Sequence, residues 1–418
     1  MRHSLQKCFL AAALVVSGVA SPLCAAELHQ VSSVPELQHA LENVSDGMTV
    51  TLAPGDYGAL FLKRFTVNAP VTIRSKDLAD PARFSGMDIR DVSGLTLENV
   101  IFDYDFQAGD KLKVRPFRVR NSKNITIRGA LFEGDVARGR SSADNGFPTG
   151  FALGVYNSSD ILLERNEIRN FYRGTVISQS QNVTVRGNNL HSIRMDGMNF
   201  AQVQNVRVEQ NYIHDFLRSL NSKDHSDMIQ FWTRNTTSPS RDVTIRDNVL
   251  SSGKGLYTQS IFMRNDQVDQ GLAGDELLYR NITIENNTII NAHLHGITVG
   301  ETDGLFIRNN TVVRNPTSEG KANKPALWTP QIRVAEGSKN VEISRNVISK
   351  IVGYKHQSDW IVDRNFFVQN AIGAGPGYYE AVFGPLSVQN PTSPASFAPR
   401  KGGPLDNTGI GSSLSLPE

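Results

Sequence analysis

The chain has 418 residues, with 43 Lys and Arg against 41 Asp and Glu, giving a formal charge of +2 at neutral pH. So even a balance excludes the strong electrostatic footprint of a nucleic-acid binder. Two cysteines in the whole chain exclude a disulfide-stapled scaffold.

The first segment is basic (Arg2, His3, Lys7), then apolar from Phe9 to Ala20, then small at Cys24-Ala25-Ala26. This order predicts a secretory signal over residues 1–26 and an exported protein, periplasmic or extracellular in a bacterium. The apolar run is too short for a membrane span. Cys8 and Cys24 both fall in the leader, so the mature chain is expected to carry no thiol. Residues 27–66 read as an N-terminal cap. Pro35–Asn43 has the pattern of a short amphipathic helix with Ser32 or Ser33 at its start, and a strand is expected at Met48–Leu52.

From residue 67 to 368 a unit of about 22 residues recurs, the spacing of a solenoid. Its clearest copies are Asn182–Leu190, Asn205–Ile213, Asp242–Leu250 and Asn281–Ile289, with weaker copies beginning at Asn124, Asp160, Gly304 and Asn340. Each has a β-branched alternating run such as Val183–Val185 or Ile282–Ile284, then a turn with Asn, then an inward apolar residue. Asn166, Asn188, Asn211, Asn248, Asn287, Asn310 and Asn346 occupy equivalent turns. Asn tolerates left-handed backbone, and stacked coils would set these amides in a ladder, a structural role. Extra residues enter near 108–114, 135–148, 216–223, 233–241, 266–278 and 316–328; in repeat proteins insertions cluster on one face, often the binding face. Residues 369–418, rich in Gly, Pro and Ser, read as an irregular covering tail.

A further strand follows each Asn turn. Aligning these strands by their inward pairs (Met198 with Phe200, Ile229 with Phe231, Ile261 with Met263, Ile297 with Val299, Ile332 with Val334) gives two outward columns. One reads Arg173, Asp196, Asp227, Gln259, His295, Pro330; the other Val176, Asn199, Gln230, Phe262, Thr298, Arg333. Asp196 and Asp227 then lie side by side at strand spacing, about 4.8 Å, which is costly unless a cation, a shared proton or an Arg offsets it. Asp224, Asp196 and Asp227 form the candidate calcium set. The segment Asp224-His225-Ser226-Asp227 is the densest polar cluster, with His225 a candidate acid or base. His295-Gly296 is a second such position. Arg264, Arg333 and Lys254 are candidates to hold acidic groups, with Arg173, Asn199 and Gln230 as further binding residues. Trp232, Tyr257, Phe262 and Trp328 are candidate sugar-stacking faces.

With these features the chain resembles the right-handed parallel β-helix (pectin-lyase-like) superfamily of carbohydrate-active proteins. Asp196-Gly197, Asp227 and His295-Gly296 are similar in order to the polygalacturonase site, without its Arg-x-Lys. Asp224-His225-Ser226-Asp227 is similar to the Asp-Pro-His-Asp of mannuronan C5-epimerases and related alginate-acting proteins, without the proline. The resemblance implies an all-β solenoid with a short capping helix. It also implies an exported, monomeric enzyme that cleaves an acidic, uronate-containing polysaccharide, most simply by β-elimination. In that scheme Arg264, Arg333 or calcium neutralises the carboxylate, while His225, His295 or Lys254 moves protons. Hydrolysis by Asp196 and Asp227, C5-epimerisation, and non-catalytic polysaccharide binding are the alternatives.

Overall fold

The computed structural model describes residues 28–254, 258–315, 327–368 and 377–413. The expected leader with both cysteines lies outside these residues, as does Tyr257.

Each coil runs through three strands. The first carries the alternating repeat (Gln181–Arg186, Gln204–Glu209, Arg241–Arg246, Tyr279–Glu285). A shorter one follows the Asn turn (Asn189–His191, Tyr212–His214, Val249–Ser251, Thr288–Asn291). The third closes the coil (Met198–Ala201, Ser226–Trp232, Thr258–Met263, His295–Val299). Equivalent strands of successive coils pair in parallel, so Val183, Val206, Val243 and Ile282 form one file and Leu190, Ile213, Leu250 and Ile289 another. All eight side chains are buried in one continuous core. Alternation explains the inward set: Val183 and Val185 enter the core while Thr184 between them does not.

The recurrent polar residues answer to backbone geometry. Asn124, Asp160, Asn182, Asn205, Asp242, Asn281 and Asn340, which begin copies of the repeat, all have φ between 51 and 55°. Asn and Asp enter this left-handed region at least cost after Gly, and Gly304 fills the equivalent place at φ 82°. A second left-handed residue precedes each turn asparagine (Gln210, Asp247, Asn286, Asn309). The turn asparagines form the expected ladder. Nδ2 of Asn166 donates to Oδ1 of Asn188 at 2.9 Å, and the chain continues at 2.9 Å through Asn211, Asn248, Asn287, Asn310 and Asn346 to Asn365. Each amide also donates to a carbonyl of the preceding first strand, as Asn248 does to Val208 O.

The cap helix spans Val34–Glu42, with Ser33 accepting from Glu36 N, and buries Leu37 and Ala40 over the end of the core. The boundary expected at 66/67 falls inside one strand, Ala59–Ser75, which pairs with Gly86–Glu98. At the other end, residues 377–413 do more than cover. Val382, Phe383, Phe397 and Leu405 make a small core with Ile290, Val313 and Val347 of the short-strand sheet.

The insertions sort by corner. Residues 108–114, 135–148 and 216–223 lie between a short strand and the third strand of a coil, and 233–241 and 266–278 lie between a third strand and the following first strand; of the insertion expected at 316–328, residues 316–326 lie outside the described residues. The third-strand sheet is therefore the floor of a groove with segments rising from both edges.

Candidate functional site

The floor consists of Phe117–Arg120, Thr149–Tyr156, Phe171–Ser178, Met198–Ala201, Ser226–Trp232, Thr258–Met263, His295–Val299 and Gln331–Val334 in spatial order. Val176, Asn199, Gln230, Phe262, Thr298 and Arg333 pair successively across it, as the sequence predicts. In the other column, Asp196 lies between Arg173 and Asp227, fixed by backbone bonds from Gly174 N to Asp196 O (2.9 Å) and Gly197 N to Asp227 O (2.8 Å). Asp227 is followed by Gln259. The last member is Gln331 rather than Pro330. His295 pairs with Gln331 and Ile297 with Ile332, so Gly296 is an extra residue that shifts the register by one.

Close packing of the coils depends on two glycines beside the acidic column. A Cβ on Gly174 would sit 2.2 Å from Gly197 O, and one on Gly197 would sit 2.6 Å from Met228 O. Bare backbone here lets Arg173, Asp196 and Asp227 approach one another.

Asp196 and Asp227 are fully buried. One ligand atom from each, with one from His225, lies within 4.8 Å of the other two. Arg173 Nε is 3.0 Å from Asp196 Oδ2. Asn199 Nδ2 donates to Asp196 Oδ2 (3.0 Å) and to Gln230 Oε1 (2.8 Å), and Gln230 Nε2 donates to Asp227 Oδ2 (2.7 Å). His225 Nδ1 lies 3.1 Å from the same Asp227 oxygen, and its side chain is 53% exposed. The cluster thus has a buried acidic base and one imidazole that reaches the groove.

Burial raises both carboxyls. Asp196 is pushed up to about 7, with Arg173 pulling against desolvation and the Asp227 charge adding to it. Asp227 is raised by desolvation against the opposing pull of His225. The hydrogen bond to Asp227 raises His225 in turn. The three groups therefore exchange protons as one system.

Among the described residues, four buried side-chain oxygens in this region find no hydrogen-bond donor: Asp196 Oδ1, Asn199 Oδ1, Asp227 Oδ1 and Gln259 Oε1. An all-oxygen set of this kind suits a hard divalent cation such as calcium. Asp224 is not part of it. Its Oδ1 accepts from the Tyr172 hydroxyl at 2.6 Å and its Oδ2 from Arg194 at 2.8 Å, and the buried Arg194 also holds Asp144 at 2.7 Å. That network ties two segments on one edge of the groove to its floor.

The remaining candidates separate. His295, Arg264 and Arg333 line a second cavity, about 280 Å³, with Phe262 and Thr298. It lies two coils from Asp227, about 10 Å away along the stack. His295 is pushed down to about 4 by burial and Arg333, and its Nδ1 is 2.8 Å from Thr298 Oγ1. Arg264 is held by Asp269 (2.7 Å) and Arg333 donates to Gln331 (2.9 Å). Trp232 is half-buried beneath the Arg173 guanidinium, at 5.9 Å. Trp328 is buried, so it offers no open stacking face. Lys254 is exposed on the turn after Val249–Ser251.

Sequence reasoning passed over Arg194 and Tyr172, which act through partners 30 to 52 positions away. It also passed over the lower floor, where Lys113, Arg115, Arg118, Phe151 and Tyr156 stand. The signal for those was available: Phe117–Arg120 and Thr149–Tyr156 continue the same alternation.

A family model described as "Right handed beta helix region" matches residues 71–267 and 227–375. No curated protein sequence matches the chain. Similar solved structures include the PL6 family alginate lyase AlyGC, at 14% identity and TM-score 0.46, with 84% of this chain and 53% of that one covered. The chain thus spans about half the length of that lyase. Pectate lyase Pel9A aligns at 11% identity and TM-score 0.43 (90% and 88%). The A-module of Azotobacter vinelandii mannuronan C-5 epimerase AlgE4 aligns at 14% and 0.39 (83% and 99%). These likenesses concern the fold.

Proposed function

The chain belongs to the right-handed β-helix family, and on that scaffold we propose an exported enzyme that cleaves a uronate-containing polysaccharide by β-elimination. A fold shared by many chemistries does not choose among them. The observation that carries the choice is His225, half-exposed over the groove and hydrogen-bonded through Nδ1 to a buried carboxylate.

Asp227 orients the imidazole and stabilises its cationic form, which leaves Nε2 as the nitrogen directed to substrate. In elimination Nε2 takes the C5 proton of a uronate. The electron pair forms the C4–C5 double bond, the C4–O bond breaks, and the proton is delivered to the departing oxygen. Negative charge grows on the uronate carboxylate as C5 loses its proton, and Arg173 is the nearby guanidinium that meets it. Asp196 holds Arg173 in place. A calcium ion held by Asp196 and Asp227, with Asn199 and Gln259 contributing oxygens, would add positive charge beside the same carboxylate.

Inverting hydrolysis fits less well. It needs two carboxyls about 6.5–9.5 Å apart flanking a sugar and a water, whereas Asp196 and Asp227 are buried together and offer ligand atoms within 4.8 Å.

The test is incubation with polygalacturonate, alginate and glucuronate-containing polymers, following the ultraviolet absorbance of an unsaturated end and the reducing ends together. Elimination raises both. Reducing ends without absorbance would replace this reading with hydrolysis. Unchanged ends with altered uronate stereochemistry would replace it with epimerisation.

A further inference from the structure

Below the carboxylate pair, toward the N-terminal end of the helix, the groove floor carries a second set of charges. Arg118 shares a column with Gly154, Val176 and Asn199, three coils below Asn199. The Arg115 guanidinium lies 5.1 Å from the Phe151 ring centroid and 5.7 Å from that of Tyr156. Arg173 covers Phe151 from the other side at 5.4 Å, and Lys113 Nζ lies 5.1 Å from the Tyr172 ring, which stacks on Phe151 at 6.2 Å. The Tyr156 ring folds back over Gly154, where a Cβ would meet its Cε2 at 2.5 Å. Phe151 and Tyr172 are themselves buried, and the groups that face outward over them are the cations, with Lys113 and Arg115 exposed.

Little negative charge offsets those cations. Asp88 is 3.6 Å from Arg118, but it is already engaged by Arg120 at 2.6 Å. Lys113 and Arg115 form no ion pair among the described residues. Two buried donors here also lack acceptors among the described residues: Arg118 Nε and the Tyr156 hydroxyl. Arg115, Arg118 and Arg173 all act electrostatically on that hydroxyl. Unused donors among positive charges call for an anionic ligand rich in acceptor oxygens.

We propose that Lys113, Arg115, Arg118 and Tyr156, over the Phe151 ring, form a binding site for the acidic sugars of a polyuronate on the N-terminal side of the reaction centre. Carboxylates meet the guanidinium and ammonium groups, and a hydroxyl or carboxylate oxygen accepts from Tyr156. The site extends from two to four coils away from Asp196 and Asp227, roughly 10–19 Å at strand spacing, so a chain of several sugars touches the whole of it and the reaction centre together. The assignment rests on the reading of the substrate as a polyuronate, yet it predicts binding independently of turnover.

The test is affinity electrophoresis of the purified protein through gels containing polygalacturonate, alginate or a neutral glucan. Wild type is expected to be retarded by a polyuronate and not by the glucan. Arg115→Ala with Arg118→Ala should weaken retardation about tenfold, the loss of two charge-assisted contacts, and Arg115→Lys with Arg118→Lys should recover part of it. Unchanged thermal unfolding checks that the variants fold. Equal retardation of wild type and the alanine variant would overturn the site, even if the protein proves to be a lyase. Retardation lost on the alanine variant without any turnover by wild type would keep the site and overturn the reaction. No retardation of wild type by either polyuronate would overturn the site as well.

Discussion

Asp196→Asn should change how stability depends on pH, in a direction opposite to the usual loss of a paired carboxylate. In the unfolded chain Asp196 releases its proton at about 3.8, and in the folded protein burial lifts this to about 7. The folded state therefore holds a proton that the unfolded state has lost. Its stability from this group is fully present below pH 3.8, falls as pH rises, and levels off above pH 7. At 1.36 kcal/mol per pH step the whole fall is about 4 kcal/mol, of which about 3 kcal/mol lies between pH 4.5 and pH 8. Asparagine keeps the oxygen that accepts from Asn199 and removes the titration. Arg173 has a charged partner in the wild type only where Asp196 is ionised, and its pull is already contained in the value of about 7, so it adds no separate offset. The quantity to measure is thus the difference between variant and wild type, by urea unfolding at pH 4.5 and pH 8 with a chelator present. The variant should gain about 3 kcal/mol relative to wild type across that interval. A difference that stays constant within about 0.5 kcal/mol, or moves the other way, refutes the claim that Asp196 is buried with its proton retained near neutrality.

Other consequences are simpler to read. His225→Ala should lower kcat by a factor of about 100 to 10,000, the range for loss of a general base, measured by steady-state kinetics on the polymer that wild type cleaves. Asp227→Asn removes the carboxylate charge whose hydrogen bond and field raise His225, so the imidazole should titrate at lower pH by proton NMR; an unchanged titration would show that the two side chains do not interact. His295 stays neutral above about pH 4, so His295→Ala should leave the pH profile above pH 5 unchanged in shape while altering affinity. Asn248→Ala leaves Val208 O and the Asn211 amide without their buried partners, and at about 1–3 kcal/mol for each unmet group it should cost about 3 kcal/mol or more by denaturant titration.

The fold was legible because one backbone requirement repeats. Every coil needs left-handed residues at its turns, and most of those places carry Asn, Asp or Gly, with Arg165, Gln210 and Arg345 among the exceptions. The outward columns from Val176 to Arg333 followed from alternation alone. Alternation failed at Gly296, where an extra residue changes the count, and that misplaced Pro330. Charge pattern also misled at Asp224 and Arg264. Both look available on paper, but Asp224 is taken by Arg194 and Tyr172, and Arg264 by Asp269 on the helix that follows. Asp269 belongs to an inserted segment and Asp224 itself follows one, and no repeat dictates the path of either. Arg118 escaped notice because the alignment of third strands was begun at Arg173, two strands too late, and Lys113 and Arg115 because they stand on the segment before Phe117–Arg120, outside any strand alignment.

The asparagine file links each turn of the chain only to the one before and the one after. A fault introduced at one level is therefore felt mainly by its two neighbours, and the stack has no single keystone. The segments rising beside the groove hang from this spine without forming part of it. Their lengths and side chains are free to diverge while the pitch beneath them, and so the relative height of Asp196, Asp227 and Arg118, stays the same.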